Sequence, residues 1–247
     1  MRPYPELFHK YEVGGAVRDQ LLGRRAKDVD FTCVLDDVGV RFIEAEECFT
    51  LLGKELVREG YKIFVTTPQF YTYRARNPEG KFHDFVLARR EGPYSDGRRP
   101  DWVQPGTLED DLARRDFTIN AMAREAEDYL IDPFGGLTDL DAKLIRCVGD
   151  PVDRFTEDPL RVLRALRFAV ALGFDIEDGT MAAIHGMDPE LIASVAKERR
   201  RDELEKMFQA DLLQTLDWLS HYLHPDTRDA VLAGVKLRPC FTFKGQP

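Results

Sequence analysis

Cysteine is scarce and scattered in this chain of 247 residues: Cys33, Cys48, Cys147 and Cys240 stand apart, with no CxxC spacing. That removes the case for a cysteine zinc site or a disulfide framework and predicts reduced thiols in a cytoplasmic protein. Histidine is equally thin, and the helix-spaced His221 and His224 lack a third ligand, so a histidine metal centre is not expected. No apolar run reaches membrane-spanning length, so no membrane partner is expected. The opening Met1-Arg2-Pro3-Tyr4-Pro5-Glu6 has no apolar run after its charge, unlike a signal peptide. Excess positive charge is missing too: 35 basic against 44 acidic residues give a net charge of −9. This opposes a basic nucleic-acid coat protein. It leaves room for an enzyme whose carboxylates bind metal and whose local basic faces guide phosphate. Repeats and low-complexity segments are absent.

What is present fits a soluble globular protein of one large or two modest domains, with 43% apolar and 32% charged residues. The most informative stretch runs from Tyr11 to Phe31. A short strand over 10–13 leads into Gly14-Gly15, a helix follows from Gly15 to Leu22, and Gly23 ends it. Backbone N–H groups at such a helix start favour an anion. Arg18, in the first turn, either reaches the same phosphates or pairs with Asp19. A strand over 28–35 then brings Asp28 and Asp30, two apart and therefore on one face. With 44 acidic residues in 247, an acid-x-acid pair is expected about eight times by chance, so spacing alone is weak. Context strengthens it: glycines precede, Arg24, Arg25 and Lys27 flank, and Val29, Phe31 and Val34 interleave. Two carboxylates on one face near a glycine turn suit Mg²⁺ and a polyphosphate.

Helical periodicity over 39–59 runs through Phe42, Ala45, Phe49, Leu52 and Leu56. Strands are predicted over 62–66, 70–76 and 81–89, the last two separated by the turn Asn77-Pro78-Glu79-Gly80. Asp84 interrupts the apolar run of the last strand, either facing solvent on an edge or joining the aspartate pair as a third metal-side carboxylate. Residues 90–106, rich in glycine and proline, read as a loop, either a lid or a surface connection. In Leu108–Ala123, apolar Leu112, Phe117, Ile119 and Met122 alternate with Arg114, Arg115, Asp116 and Asn120. If that segment is helical, Asp116 and Asn120 lie one turn apart and suit a sugar hydroxyl; otherwise they belong to a local ion-pair network. Tyr129–Asp132 and Leu144–Val148 read as strands. Gly149-Asp150-Pro151 marks a boundary, giving domains of 1–149 and 150–247, the second helical to about residue 235.

The helical half opens with Phe155–Phe168. Asp158 reads as a cap and Pro159 as the first helical residue. Leu160, Leu163, Leu166 and Val170 form a buried stripe, and Arg161, Arg164 and Arg167 cluster beside it. Those arginines either pair with nearby acids or read a base. Adenine and cytosine present an amine donor beside a ring-nitrogen acceptor, and guanine and uracil the reverse. A carboxylate only accepts and a guanidinium only donates, so Asp158 with Arg161 suits A and C. Downstream, Ser194–Lys206 is a mixed-charge helix whose arginines meet either solvent or RNA phosphates.

Five segments in order, GGAVRDQLLGRRAKDVDF, DLARRDFTINAMA, DPFGGLTDLDAKLIRCVG, EDPLRVLRALRF and KERRRDELEK, resemble the head and neck of class II tRNA nucleotidyltransferases (CCA-adding enzymes) and the related bacterial poly(A) polymerases. They span about residues 10–210. The resemblance implies an α+β fold: a mixed-sheet nucleotidyltransferase head like that of DNA polymerase β, then an all-helical neck and a body shortened to about residues 209–247. It implies that Asp28 and Asp30 hold Mg²⁺, with Asp84 as the later-strand carboxylate. Gly14, Gly15 and Arg18 match the triphosphate-facing turn, and Arg115, Asp116 and Asn120 the segment holding sugar and phosphates. Glu157, Asp158 and Arg161, with Arg164 on the same helix, match the segment that templates ATP and CTP. The implied activity is addition of C and/or A to tRNA 3′ ends, alternatively polyadenylation of other RNAs or RNA binding without turnover. The family usually reads Glu-Arg-Ile where Glu198-Arg199-Arg200 stands here. A homodimer is one way a shortened body holds its RNA.

Overall fold

A computed structural model describes residues 7–26, 29–35, 44–95, 99–125 and 129–237. Asp28 lies outside the described residues, as do Lys27, Phe42 and Cys240. The chain divides into two compact units at Leu140/Asp141.

The first unit begins with β1 (Phe8–Val13), α1 (Gly15–Leu21), β2 (Val29–Leu35) and α2 (Ala45–Arg58). It continues with β3 (Lys62–Thr67), β4 (Thr72–Arg76), β5 (Phe82–Leu87), β6 (Arg89–Glu91), β7 (Val103–Pro105) and α3 (Leu108–Ala113). Then come β8 (Ala123–Arg124), β9 (Leu130–Ile131) and α4 (Gly136–Asp141). Seven strands form one sheet in the order β3-β4-β5-β2-β1-β8-β9. All described pairings are antiparallel except β2 with β5, so the sheet is mixed.

Alternation assigns the faces. Phe31, Cys33, Tyr73, Ala75, Phe85 and Leu87 point to one side, where Phe49, Leu52 and Leu56 of α2 meet them in one core. Phe49 and Tyr73 stack at 4.1 Å, and the Tyr73 hydroxyl donates to the Phe49 carbonyl at 3.1 Å. Gly53 permits that approach: a Cβ there would lie 2.7 Å from the Tyr73 oxygen. Burial pushes the Cys48 thiol up to about 11 and raises Cys33 further, so both are inert protonated core groups. The opposite face carries Asp30, Thr32, Arg74 and Asp84.

The second unit contains β10 (Leu144–Ile145), α5 (Pro151–Glu157), α6 (Leu160–Leu172), β11 (Asp175–Ile176), α7 (Asp178–Gly186) and α8 (Pro189–Ser194). It ends with α9 (Lys197–Ala210), α10 (Leu212–Asp217) and α11 (Pro225–Leu232). Leu160, Leu163, Leu166 and Val170 are buried as their spacing requires, and Gly173 ends α6 in the left-handed region with φ 71°. β10 and β11 pair in parallel, a strand inside the stretch predicted to be helical.

Three further differences have local causes. Residues 90–106 are predicted as loop, yet β6 and β7 pair antiparallel across them; each strand is too short to show a period. The predicted strand 81–89 is broken at Ala88, whose N–H bonds Cys33 and whose carbonyl accepts from Gly106. Leu108–Ala123 is not one helix: α3 stops at Ala113, and a 3-10 turn forms at Thr118–Asn120.

Arg200 explains a departure from the resembled family. It is buried, and its guanidinium donates to the carbonyls of Val195, Ala230, Val231 and Ala233, the last three at the C-terminal end of α11. Those carbonyls have no partner within the helix, and a cation also complements the negative end of its dipole. Isoleucine would supply none of these bonds.

Candidate functional site

In the parallel β2–β5 pair, Asp30 stands opposite Asp84. Side chains directly opposite on neighbouring strands share a face, with Cβ atoms about 5 Å apart. One side of Asp84 is thus occupied by a carboxylate; on the other its register partner is Arg74 of β4, with Nε 3.7 Å from Asp84 Oδ1. That oxygen is buried and has no hydrogen-bond donor among the described residues. A buried acceptor with unused lone pairs beside a second carboxylate is a fitting donor set for a hard divalent cation, which takes oxygen ligands. Among the described residues no group of three potential ligands assembles, and Asp28, the expected companion, is not among them.

Next to this strand pair, Asp111 organises the cationic side of the site. It is fully buried on α3 and accepts from Thr32 of β2 at 2.8 Å. Its other partners are Arg114, with Nη2 at 2.6 Å, and Arg115, with Nη2 at 3.1 Å. Burial alone would raise its pKa; the two guanidinium groups and the hydroxyl more than offset that and hold it at about 2. Asp111 therefore fixes Arg115, whose Nη1 sits against the Gly14 backbone. A Cβ on Gly14 would approach Nη1 to 2.6 Å, and φ at Gly14 is 72°, so glycine is required on two counts. Arg115 Nε is buried without a hydrogen-bond acceptor among the described residues.

The remaining polar groups form a chain. Arg18, buried, donates to Asp19 at 2.6 Å and to Asn120 Oδ1 at 2.6 Å. Asn120 donates to Asp116 at 3.0 Å. The pairing of Arg18 with Asp19 is thus realised, and Asp116 and Asn120 bond one another across a 3-10 turn instead of lining one helix face. The structure brings Gly14, Gly15, Arg18, Arg115, Asp116 and Asn120 together in the first unit. Spacing alone missed Arg74 and Asp111: Arg74 looked like an ordinary outward strand residue, and Asp111 was hidden in the acidic run Glu109-Asp110-Asp111.

In the second unit, Asp158 Oδ1 accepts from the Leu160 N–H at 3.1 Å, but the N-cap of α6 is Pro159, one residue later than the expected Asp158 cap. Its Oδ2 also accepts from Arg199 at 2.9 Å. Arg161 donates to Glu157 at 2.7 Å and to the Arg154 carbonyl at 3.1 Å. Asp158 and Arg161 are therefore each oriented by a different partner. Arg164 lies 5.5 Å from the Phe168 ring centre and Arg167 only 3.9 Å, while Arg167 also pairs with Glu203. Arg199 was missed as a positioning group; its signal lay within the segment KERRRDELEK.

A mixed sheet of this order, with helices packed on it, is the catalytic-head fold of a nucleotidyltransferase. Residues 10–146 match the family described as the poly A polymerase head domain, and residues 173–217 match a probable RNA and SrmB-binding site of polymerase A. The chain belongs to the poly A polymerase head-domain family, whose enzymes generally use a divalent metal. It is 41% identical over 201 residues to a CCA-adding enzyme of Leuconostoc mesenteroides, covering 81% of this chain and 46% of the relative. It resembles the crystal structure of the Bacillus stearothermophilus CCA-adding enzyme in complex with CTP, at 31% identity and a TM-score of 0.69, over 87% of this chain and 50% of that one. A tRNA nucleotidyltransferase complexed with a primer tRNA and an incoming ATP analog is 34% identical with a TM-score of 0.69, over 94% of this chain and 61% of that one. The chain thus spans about half the length of the curated relatives it matches. Among the described residues no helix is long and apolar enough to cross a membrane.

Proposed function

We propose that this chain transfers nucleotidyl groups from CTP and/or ATP to the 3′ end of RNA, with tRNA lacking its CCA end as substrate, and releases pyrophosphate. The observation that carries this reading is the in-register placement of Asp30 and Asp84, beside a glycine turn covered by Arg115. The names of the similar proteins, CCA-adding enzymes and a structure with primer tRNA and an ATP analog, support the choice of substrates.

Asp30 and Asp84, with Asp28, would hold Mg²⁺, which when bound supplies Lewis-acid stabilisation of the triphosphate and acidifies the RNA 3′ hydroxyl. The 3′ oxygen attacks the α-phosphorus in line, its proton passes to solvent water, the new O–P bond forms and the α–β bridging bond breaks, releasing pyrophosphate. Arg115, fixed by Asp111, offers positive charge to the departing pyrophosphate. Gly14 keeps the backbone low enough for phosphate to approach that guanidinium. No covalent enzyme intermediate is required. Base choice is assigned to Asp158, Glu157 and Arg161: acceptor-only carboxylates and a donor-only guanidinium complement cytosine and adenine. Arg199 and Glu157 hold those groups in place, so the selection costs little reorganisation.

The test is extension of a tRNA lacking its 3′ CCA with Mg²⁺ and each nucleotide in turn, read at single-nucleotide resolution. Incorporation from CTP, then ATP, is the expected result; failure with both overturns the proposal. The polymerase A description of the matched family favours one second reading, an enzyme that adds only A. Incorporation from ATP but never from CTP identifies it.

A further inference from the structure

The open face of the sheet continues past Asp84 into a basic and aromatic stripe that the chemistry above does not use. In register, Arg74 opposes Asp84 and Arg76 opposes Phe82; Lys62 opposes Arg76 and Val65 opposes Arg74. These residues therefore share the face that carries Asp30 and Asp84. Phe64 sits at a bulge between Ile63 and Val65, and its ring meets Phe82 edge-on at 5.2 Å. Both rings are open to solvent, Phe64 at 48% and Phe82 at 40%. Lys62 lies 5.3 Å from the centre of the Phe64 ring, and Arg74 lies 5.7 Å from that of Phe82.

We propose that Lys62, Phe64, Arg76 and Phe82 form a track for the single-stranded end of an RNA, along which it approaches the carboxylate pair. The proposal rests on the nucleotidyl-transfer reading for its direction, since Phe82 lies two residues, about 6.6 Å, along β5 from Asp84. Charge complementarity selects the occupant. The chain carries a net charge of −9, yet Lys62, Arg74 and Arg76 gather here with two exposed rings. Aromatic faces stack bases without regard to sequence while flanking cations track phosphates. Addition of a protein strand to the edge is the weaker fit, because the bulge and Lys62 are devices that blunt an edge strand.

The experiment measures binding of a short 5′-fluorescein-labelled single-stranded oligoribonucleotide to the full chain by anisotropy, in EDTA and without nucleotide. Because no turnover is needed, a chain that binds through this face yet transfers nothing separates failure of the catalytic reading from failure of this one. Phe64→Ala with Phe82→Ala should weaken binding by at least tenfold. Lys62→Gln with Arg76→Gln, which spares the rings, should lower the slope of log K against log salt by about 1.4. A 4-thiouridine near the 3′ end should crosslink to peptides spanning 62–82. Unchanged affinity and slope in both folded variants, or crosslinks only elsewhere, would overturn the proposal. So would RNA binding that persists while the aromatic double variant dissociates a dimer in sedimentation velocity, which would make the face a protein interface.

Discussion

Asp30 and Asp84 lie opposite one another in the parallel pairing of β2 with β5, although 54 residues separate them in the chain. The pairing gives Asp84 a role that its own strand does not reveal. Asp84→Asn keeps the shape and removes the charge. Nucleotide incorporation should fall by about 10²- to 10³-fold, the usual loss when one electrostatic contributor is removed. Thermal melting should barely move, because the side chain is partly exposed and its ion pair with Arg74 is long. Incorporation at the wild-type rate would remove Asp84 from the site.

Asp111 makes the first unit acid-labile in a defined window. Its folded pKa, about 2, lies below its unfolded value, so its stabilisation is complete above about pH 4 and is lost as pH falls from about 4 toward 2. Asp111→Asn should abolish that part of the pH dependence. At neutral pH it should cost about 3 kcal/mol, since it removes the buried charge between two arginines. Denaturant melts at stepped pH check both expectations.

Arg200 ties α9 to the end of α11 through main-chain carbonyls. Arg200→Met fills similar space and strands those acceptors, for an expected loss of about 2–4 kcal/mol. Hydrogen exchange should accelerate in α11 and leave the sheet of the first unit unchanged. Exchange that rises evenly over the chain would contradict the local role.

How much was visible beforehand depends on how far each residue's partner lies in sequence. The Phe49, Leu52 and Leu56 stripe of α2 and the β2 alternation are set by neighbours within a few positions, and both are present as their spacing requires. The two predicted strands that carry Asp30 and Asp84 were also legible, but their parallel register was not, because nothing local fixes which strand lies beside which. Asp111 looked like one acid among three; only the fold brings Thr32 and Arg115 to it. Asp158 and Arg161 were recognised as acceptor and donor, whereas Arg199, 41 residues on, emerged only when α9 packed beside α6. The β6–β7 pairing was hidden by a glycine- and proline-rich composition that ordinarily marks loops.

Base choice provides a separate test. Asp158→Asn puts an amide donor where only an acceptor stood. Discrimination of CTP and ATP against UTP and GTP should relax by about 10- to 150-fold, the worth of one hydrogen bond to a charged group. The measurement is kcat/KM for each nucleotide on the same primer. An equal fall for all four nucleotides would mean that Asp158 only holds the Leu160 N–H and Arg199 in place.

The central claim is that opposed carboxylates on β2 and β5 support metal-dependent displacement of pyrophosphate. Its most direct test is pyrophosphate release by the wild-type chain and by Asp30→Asn, with tRNA lacking CCA and CTP as substrates, as Mg²⁺ is titrated. Release should rise with Mg²⁺, match nucleotide incorporation mole for mole, and fall by about 10²- to 10³-fold in the folded Asp30→Asn variant. Release that is independent of the metal, or equal in the two proteins, would contradict the account.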